Sequence, residues 1–76
     1  MANTRISIEY CTGWGYLSKA MDMTEKILDQ YKNTIDNLVL IPSTNGVFEI
    51  TVNDNLVFSK IKEERFPKFE EIKGKI

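Results

Sequence analysis

Seventy-six residues leave room for one small domain spanning 1–76 and exclude a two-domain enzyme, a repeat array or a large enclosed cavity. Hydrophobic residues at 42% and charged residues at 28% are ordinary for a globular chain, so global disorder is not expected. Histidine is absent and Cys11 is the single cysteine, which excludes imidazole acid–base chemistry, an intrachain disulfide and any zinc site built from two thiolates of one chain.

Along residues 5–10, Ile6, Ile8 and Tyr10 alternate with Arg5, Ser7 and Glu9, the period of a strand with one face buried. From Leu17 the apolar positions fall at Ala20, Met21, Thr24, Ile27, Leu28 and Tyr31, which predicts a helix of about four to five turns. Thr12, or Thr12 with Gly13, is its expected N-cap. Leu38, Val39, Leu40 and Ile41 form an apolar run halted by Pro42, as in a strand flanked on both edges, and residues 42–46 then read as a turn. Phe48, Ile50 and Val52 alternate with Val47, Glu49 and Thr51; beyond Asn53-Asp54-Asn55 a short run over 56–59 completes a hairpin. Pro67 suits the first position of a closing helix with Phe69, Ile72 and Ile76 on one face. The order is strand, helix, strand, strand, strand, helix, an α/β (α+β) arrangement in which a parallel crossover leads to a four-stranded mixed sheet with two helices on one face.

This topology puts Cys11 at the carboxyl edge of the parallel pair, where open α/β sheets bind ligands. The turn after the second strand, with Ser43, leaves from the same edge, and the hairpin returns there carrying Lys60, Lys62 and Arg65. A thiol facing free helix amides and positive charge is favoured as thiolate. The small neighbours Thr12, Gly13 and Gly15 are expected to leave the sulfur accessible. Against this, lone cysteines are among the most buried residues and often only fill a core. Trp14, three and seven residues before Leu17 and Met21, either caps the core over the sulfur or stands out as a stacking surface.

The blocks Ile8-Glu9-Tyr10-Cys11-Thr12, Leu40-Ile41-Pro42-Ser43, Gly46-Val47-Phe48-Glu49-Ile50, Leu56-Val57-Phe58-Ser59-Lys60 and Arg65-Phe66-Pro67, in this order and over nearly the whole chain, resemble the selenoprotein W, T and H group, or Rdx family. The resemblance implies a thioredoxin-like fold and redox chemistry at two cysteines, or a cysteine and a selenocysteine, separated by two residues. Cys11 matches the first place. Trp14 stands in the second, so a cycle through an internal disulfide or selenenylsulfide is closed to this chain. Asn53-Asp54-Asn55 and Glu63-Glu64 depart from places where the family tends to carry glycine.

The reading that follows is a monothiol redox protein without a cofactor, in which Cys11 exchanges with glutathione or with protein thiols and disulfides. Thr12, Gly13, Trp14 and Ser43 would line the contact, and Lys60, Lys62 and Arg65 would hold the carboxylates of glutathione. The alternative is a non-catalytic protein-binding module using the Cys11–Trp14 loop. A Cys11–Cys11 disulfide dimer is disfavoured in a reducing compartment, so the expectation is a monomer or weak dimer. Residues 60–76 carry six basic and four acidic side chains, too small a surplus for nucleic acid. Gly13 and Gly15 lack the Gly-Lys-Ser/Thr of a phosphate loop, and no metal-ligand spacing is present. No apolar run approaches the roughly 20 residues of a span and no basic-then-apolar leader opens the chain, so no membrane partner and a cytoplasmic location are expected.

Overall fold

The computed structural model describes residues 4–76; the first three residues of the expected 1–76 domain lie outside the described residues. The elements are β1 (Thr4–Cys11), α1 (Tyr16–Tyr31), a 3-10 turn (Lys32–Thr34), β2 (Ile35–Ser43), β3 (Phe48–Val52), β4 (Asn55–Ser59), α2 (Lys60–Glu63) and α3 (Phe69–Lys73). The four strands lie in the order β2-β1-β3-β4, with β1 parallel to β2 and the other pairs antiparallel. Alternation in β1 and β3 sends Ile6, Ile8, Tyr10, Phe48, Ile50 and Val52 to one face, where they pack with Ala20, Met23 and Ile27 of α1 and Ile72 of α3. The sheet is thus covered on one face by two helices, a thioredoxin-like α+β architecture.

Register aligns one apolar row across all four strands: Leu40 beside Ile8, Ile8 beside Ile50, Ile50 beside Phe58. Ile8 and Ile50 have no exposed surface at all. Fully burying such a side chain contributes about 1.5–3 kcal/mol each, the largest favourable contribution in a chain this small.

Several local expectations are corrected. The helix does not start from a Thr12 or Gly13 cap: the Thr12 N–H donates to the Ser43 carbonyl at 3.0 Å, extending the parallel ladder, and the chain turns only at Trp14 and Gly15. Both adopt left-handed backbone, φ 63° and 75°, and Gly15 is the cap residue. The buried face of α1 is also rotated from the one the spacing suggested. Ala20, Met23 and Ile27 are buried with Tyr16 and Tyr31 packed beside them, while Leu17, Met21 and Leu28 are exposed. Successive helix positions differ by about 100°, so a sequence with apolar residues at both 16 and 17 supports two neighbouring stripes. The sheet accepts the one containing Ala20, whose small side chain lets the helix approach.

β2 is an edge strand rather than one flanked on both sides, and it continues through Pro42 to Ser43. The reason is visible in the hydrogen bonding. The Ser43 carbonyl points to β1, so odd positions of the regular stretch pair inward and even positions, Pro42 included, face the open edge. A proline with its nitrogen on the open side removes no ladder bond. The β3–β4 hairpin closes without glycine because Asn53 and Asp54, φ 49° and 71°, are the residue types that best tolerate left-handed backbone. Arg5 ties that turn to β1 through Asn53 and an Asp54 ion pair of 3.2 Å.

The short helix α2 is absent from the sequence reading. Ser59 caps it, its hydroxyl accepting from the Lys62 N–H at 3.3 Å, and the Glu49 carboxylate accepts from the Lys60 N–H at 3.1 Å. Pro67 precedes α3 instead of opening it; Lys68 is the cap. The Arg65 guanidinium grips Glu71 through two bonds of 2.8 and 2.6 Å, and Glu71 also accepts from the Lys68 N–H at 2.8 Å.

Two predictions follow from these local geometries. Glu64 ends α2 in left-handed backbone, φ 61°, so Glu64→Gly is expected to raise stability by about 0.5–1 kcal/mol in urea unfolding, with no change in slope. The hydrogen bonds from Arg65, then that from Lys68, hold the Glu71 carboxyl down to about 2 from its usual 4.5. Because the folded value is depressed, the stabilisation is complete above pH 4.5 and is lost as pH falls towards 2. In melting curves against pH, the gap between the native chain and Glu71→Gln should therefore narrow across that window and stay constant above it.

Candidate functional site

Cys11 is the last residue of β1, opposite Ser43 in the parallel pair, and its N–H donates to the Val47 carbonyl at 2.9 Å. The strand ladder thus delivers it to the carboxyl edge of the sheet, next to the turn between β2 and β3. The residue is only 5% exposed, which corrects the expectation of an open sulfur. Because Thr12 still bonds to Ser43, the chain has not yet left the sheet at residue 12, and Gly13 stays close to the sulfur: a Cβ placed there would meet Sγ at 4.0 Å. Residues 12–15 are themselves all exposed.

Trp14 does not cap the core. It is 77% exposed, and its indole lies flat enough on the β2–β3 turn that a Cβ at Gly46 would come within 2.6 Å of Cζ3. Gly46 is doubly required, since its φ of 71° also favours glycine. The indole edge meets Tyr16 at a centroid distance of 6.0 Å, Tyr16 meets Phe66 at 4.9 Å and Phe66 meets Phe48 at 5.3 Å, an aromatic chain running from the loop into the core. Trp14 does not continue the stripe of Leu17 and Met21 that the spacing suggested: it precedes α1 in left-handed backbone with its ring at Gly46, while Leu17 and Met21 are exposed on the helix.

The basic residues divide. Lys60 Nζ sits 5.5 Å from the Tyr16 ring centroid and 5.3 Å from that of Phe66, so it reaches the rim of the site through the aromatic chain. Arg65 lies over Phe58 at 5.4 Å and is committed to Glu71. Lys62 is on the exposed side of α2. The Ser43 hydroxyl is also engaged, donating to Glu9 at 2.8 Å. The structure therefore brings Cys11, Thr12, Gly13, Trp14 and Ser43 to one edge, with Lys60 beside them and Arg65 elsewhere. Sequence reasoning missed Val47, Gly46 and Tyr16. Gly46 was legible as a turn residue but not as the platform for an indole 32 positions earlier.

Among the described residues no three His, Cys, Asp or Glu side chains come together to hold a metal, and no helix is long and apolar enough to cross a membrane. A groove of about 360 Å³ between α1 and residues 66–70, floored by Met23, Phe48 and Phe66, contains none of the expected site residues. Chemically the edge holds a covered thiol at position 11 and, three residues on, a side chain that solvent and partners reach directly. In a two-cysteine arrangement of this spacing, position 14 would be the accessible member.

Comparison with known proteins agrees with this geometry. The model of the Rdx family matches residues 5–76. The chain is 35% identical over 63 residues to migration and invasion enhancer 1 of Bos taurus, covering 83% of this chain and 53% of that protein, so it spans about half the length of this curated relative. A selenoprotein W-related protein of Vibrio cholerae superposes with a TM-score of 0.90 at 25% identity, covering 95% of this chain and 90% of that one. A Bordetella parapertussis protein gives 0.88 at 30% identity, with coverage of 93% and 90%. With its matched span, its register and Cys11 at the carboxyl end of β1, the chain belongs to the Rdx family, whose redox-related, thioredoxin-like scaffold it carries.

Proposed function

We propose that the chain acts in monothiol redox exchange at Cys11, with the exposed Trp14 as the contact on which a partner protein docks. The observation that carries this reading is the pairing at one edge of a covered thiol with a 77% exposed indole held on Gly46. The loop beside the sulfur is short and exposed, and its ties to the sheet are the Thr12–Ser43 bond and the Trp14–Gly46 contact, so local opening there disturbs less than unfolding the sheet. Once uncovered, the Cys11 thiolate attacks one sulfur of glutathione disulfide or of a protein mixed disulfide. The new S–S bond forms as the old one breaks, and the departing thiolate takes up a proton. A second thiol, from glutathione or the partner, then cleaves the Cys11 disulfide and restores the starting thiol. No internal partner is needed, and Lys60, which reaches Tyr16 beside the Trp14 ring, is the expected cation assigned to a substrate carboxylate.

Folded protein mixed with glutathione disulfide should gain one glutathione by intact mass, lose the adduct on adding glutathione, and show neither change as Cys11→Ser. Alkylation of Cys11 only at the rate of global unfolding, with no adduct, would sink the redox reading. A purely non-catalytic docking module would show partner capture that survives Cys11→Ser and disappears with Trp14→Ala. Trp14→Cys, which supplies the accessible position with a thiol, should form an internal disulfide with Cys11 under the same oxidant.

A second reading of residue 14 is favoured by its exposure, since the large apolar ring is 77% exposed and fills no core space. The place is the one where the resembling proteins carry cysteine or selenocysteine. The selenocysteine codon, UGA, is read as tryptophan in some genetic codes, so a gene translated under such a code shows tryptophan where the cell inserts selenium. On this reading position 14 is the exposed attacking group and Cys11 the covered resolving thiol. A UGA codon at position 14 and a native mass containing selenium would support it; a UGG codon and a tryptophan mass would end it.

A further inference from the structure

The two edges of the sheet are treated differently. β4, at one end, is five residues long, its pairing with β3 is broken by an irregularity at Ile50 and Thr51, and the Lys75 ammonium donates to the Val57 carbonyl at 3.0 Å. Short length, a bulge and a lysine on the edge are the devices by which proteins keep an edge from pairing. β2, at the other end, is longer and carries no lysine; its irregularity, at Asp36, and its edge proline, Pro42, lie towards its two ends and leave Asn37–Ile41 regular. It runs nine residues, Ile-Asp-Asn-Leu-Val-Leu-Ile-Pro-Ser, without a basic side chain and with one carboxylate, Asp36. No described residue bonds its outer side in the sheet. Val39 and Ile41 are 47% and 40% exposed, a large share for β-branched side chains in a strand.

We infer that β2 pairs antiparallel with β2 of a second copy of this chain, across a twofold axis at Val39, to give a continuous eight-stranded sheet. The strand is complementary to itself in this register. Leu38 and Leu40, whose N–H and C=O groups point outward as the Ser43 alternation requires, fall opposite the partner's Leu40 and Leu38, forming hydrogen-bonded pairs. Asp36, at the irregularity, falls opposite Pro42, which lacks an N–H, so the ladder ends there on each side of the axis and no two carboxylates face each other. Val39 meets its own copy in the non-hydrogen-bonded position, where side chains come closest, and Ile41 lies beside Asn37. Val39 and Ile41 stand on the face away from the helices, so pairing shields their flanks against the partner strand and leaves that face open. A net charge of −1 per chain opposes the association little.

The geometry sets this dimer apart from one made through the thiol. Antiparallel pairing puts each Ser43 opposite the other chain's Ile35, eight residues or roughly 26 Å along the strand, so the two Cys11 edges lie at opposite ends of the interface. It also leaves Trp14 free in both copies, and so holds whether or not the redox reading does. A single strand pair buries less than the roughly 1,200 Å² of a typical stable interface, so the dimer should be weak and fully reversible.

Sedimentation of the full chain between about 10 µM and about 1 mM tests this, a range suited to small interfaces. The expected result is concentration-dependent dimerisation, unchanged by reductant, by Cys11→Ser and by Trp14→Ala, with amides of Leu38 and Leu40 gaining exchange protection as concentration rises. Val39→Lys, at an exposed position where folding is checked by circular dichroism, places like charges on the axis and should weaken the dimer at least tenfold. A monomer throughout the range would overturn the proposal. So would a dimer that survives Val39→Lys, one lost with Trp14→Ala, which would move the interface to the loop before α1, or one abolished by reductant.

Discussion

The row Leu40–Ile8–Ile50–Phe58, one side chain from each strand on the covered face, is the constraint on which the rest of the molecule depends. A chain of this length has one apolar layer to bury, and it buries that layer between a single sheet face and two helices. With the helices spent on that face, nothing is left to cover the strand ends, the opposite face or the β2 edge. What the fold leaves open follows directly from what it closes. The carboxyl edge is open because the crossover from β1 to β2 must pass there, and β2 is open because the strand order places it last.

The chemistry at that edge is set by how far the β1 ladder extends. Had the chain left the sheet at Cys11, the sulfur would stand at the start of the helix, as the order of elements suggests. The Thr12–Ser43 bond carries the ladder one residue further, and the turn is then made by two left-handed residues, so α1 begins only at Tyr16. Cys11 is left under Gly13 and position 14 is thrown outward. This division between a covered and a presented residue is a property of the backbone and does not depend on which side chain occupies position 14. It gives one scaffold two separable elements, a buried sulfur and an exposed side chain.

Much of this was legible in the residues. Period-two alternation in β1 and β3 gave the correct faces, and the element order gave the mixed sheet with both helices on one side. The misreadings share a cause, which is that a pattern in the sequence says which side chains are apolar but not which neighbour is present to cover them. Leu38 to Ile41 looks like a central strand because it is apolar on both faces, yet it lies at an edge. Leu17 and Met21 look like core for the same reason, while the sheet in fact takes the stripe through Ala20. Glu49 reads as a surface residue, although its carboxylate serves the first turn of a helix whose four residues are too few to show a period.

Trp14 and Gly46 show the limit most clearly. Each was readable by itself, one as an aromatic in a loop and the other as a turn glycine, but their contact joins positions far apart in the chain and is fixed only once β1 and β2 lie parallel in register. The contact also has a physical consequence for any partner. An indole pinned on a backbone surrenders little rotamer freedom when it is covered, so binding over it loses less entropy than binding to a free side chain would. The contact also sets where that exposed surface lies, at the β2–β3 turn and beside Tyr16, the ring that Lys60 reaches.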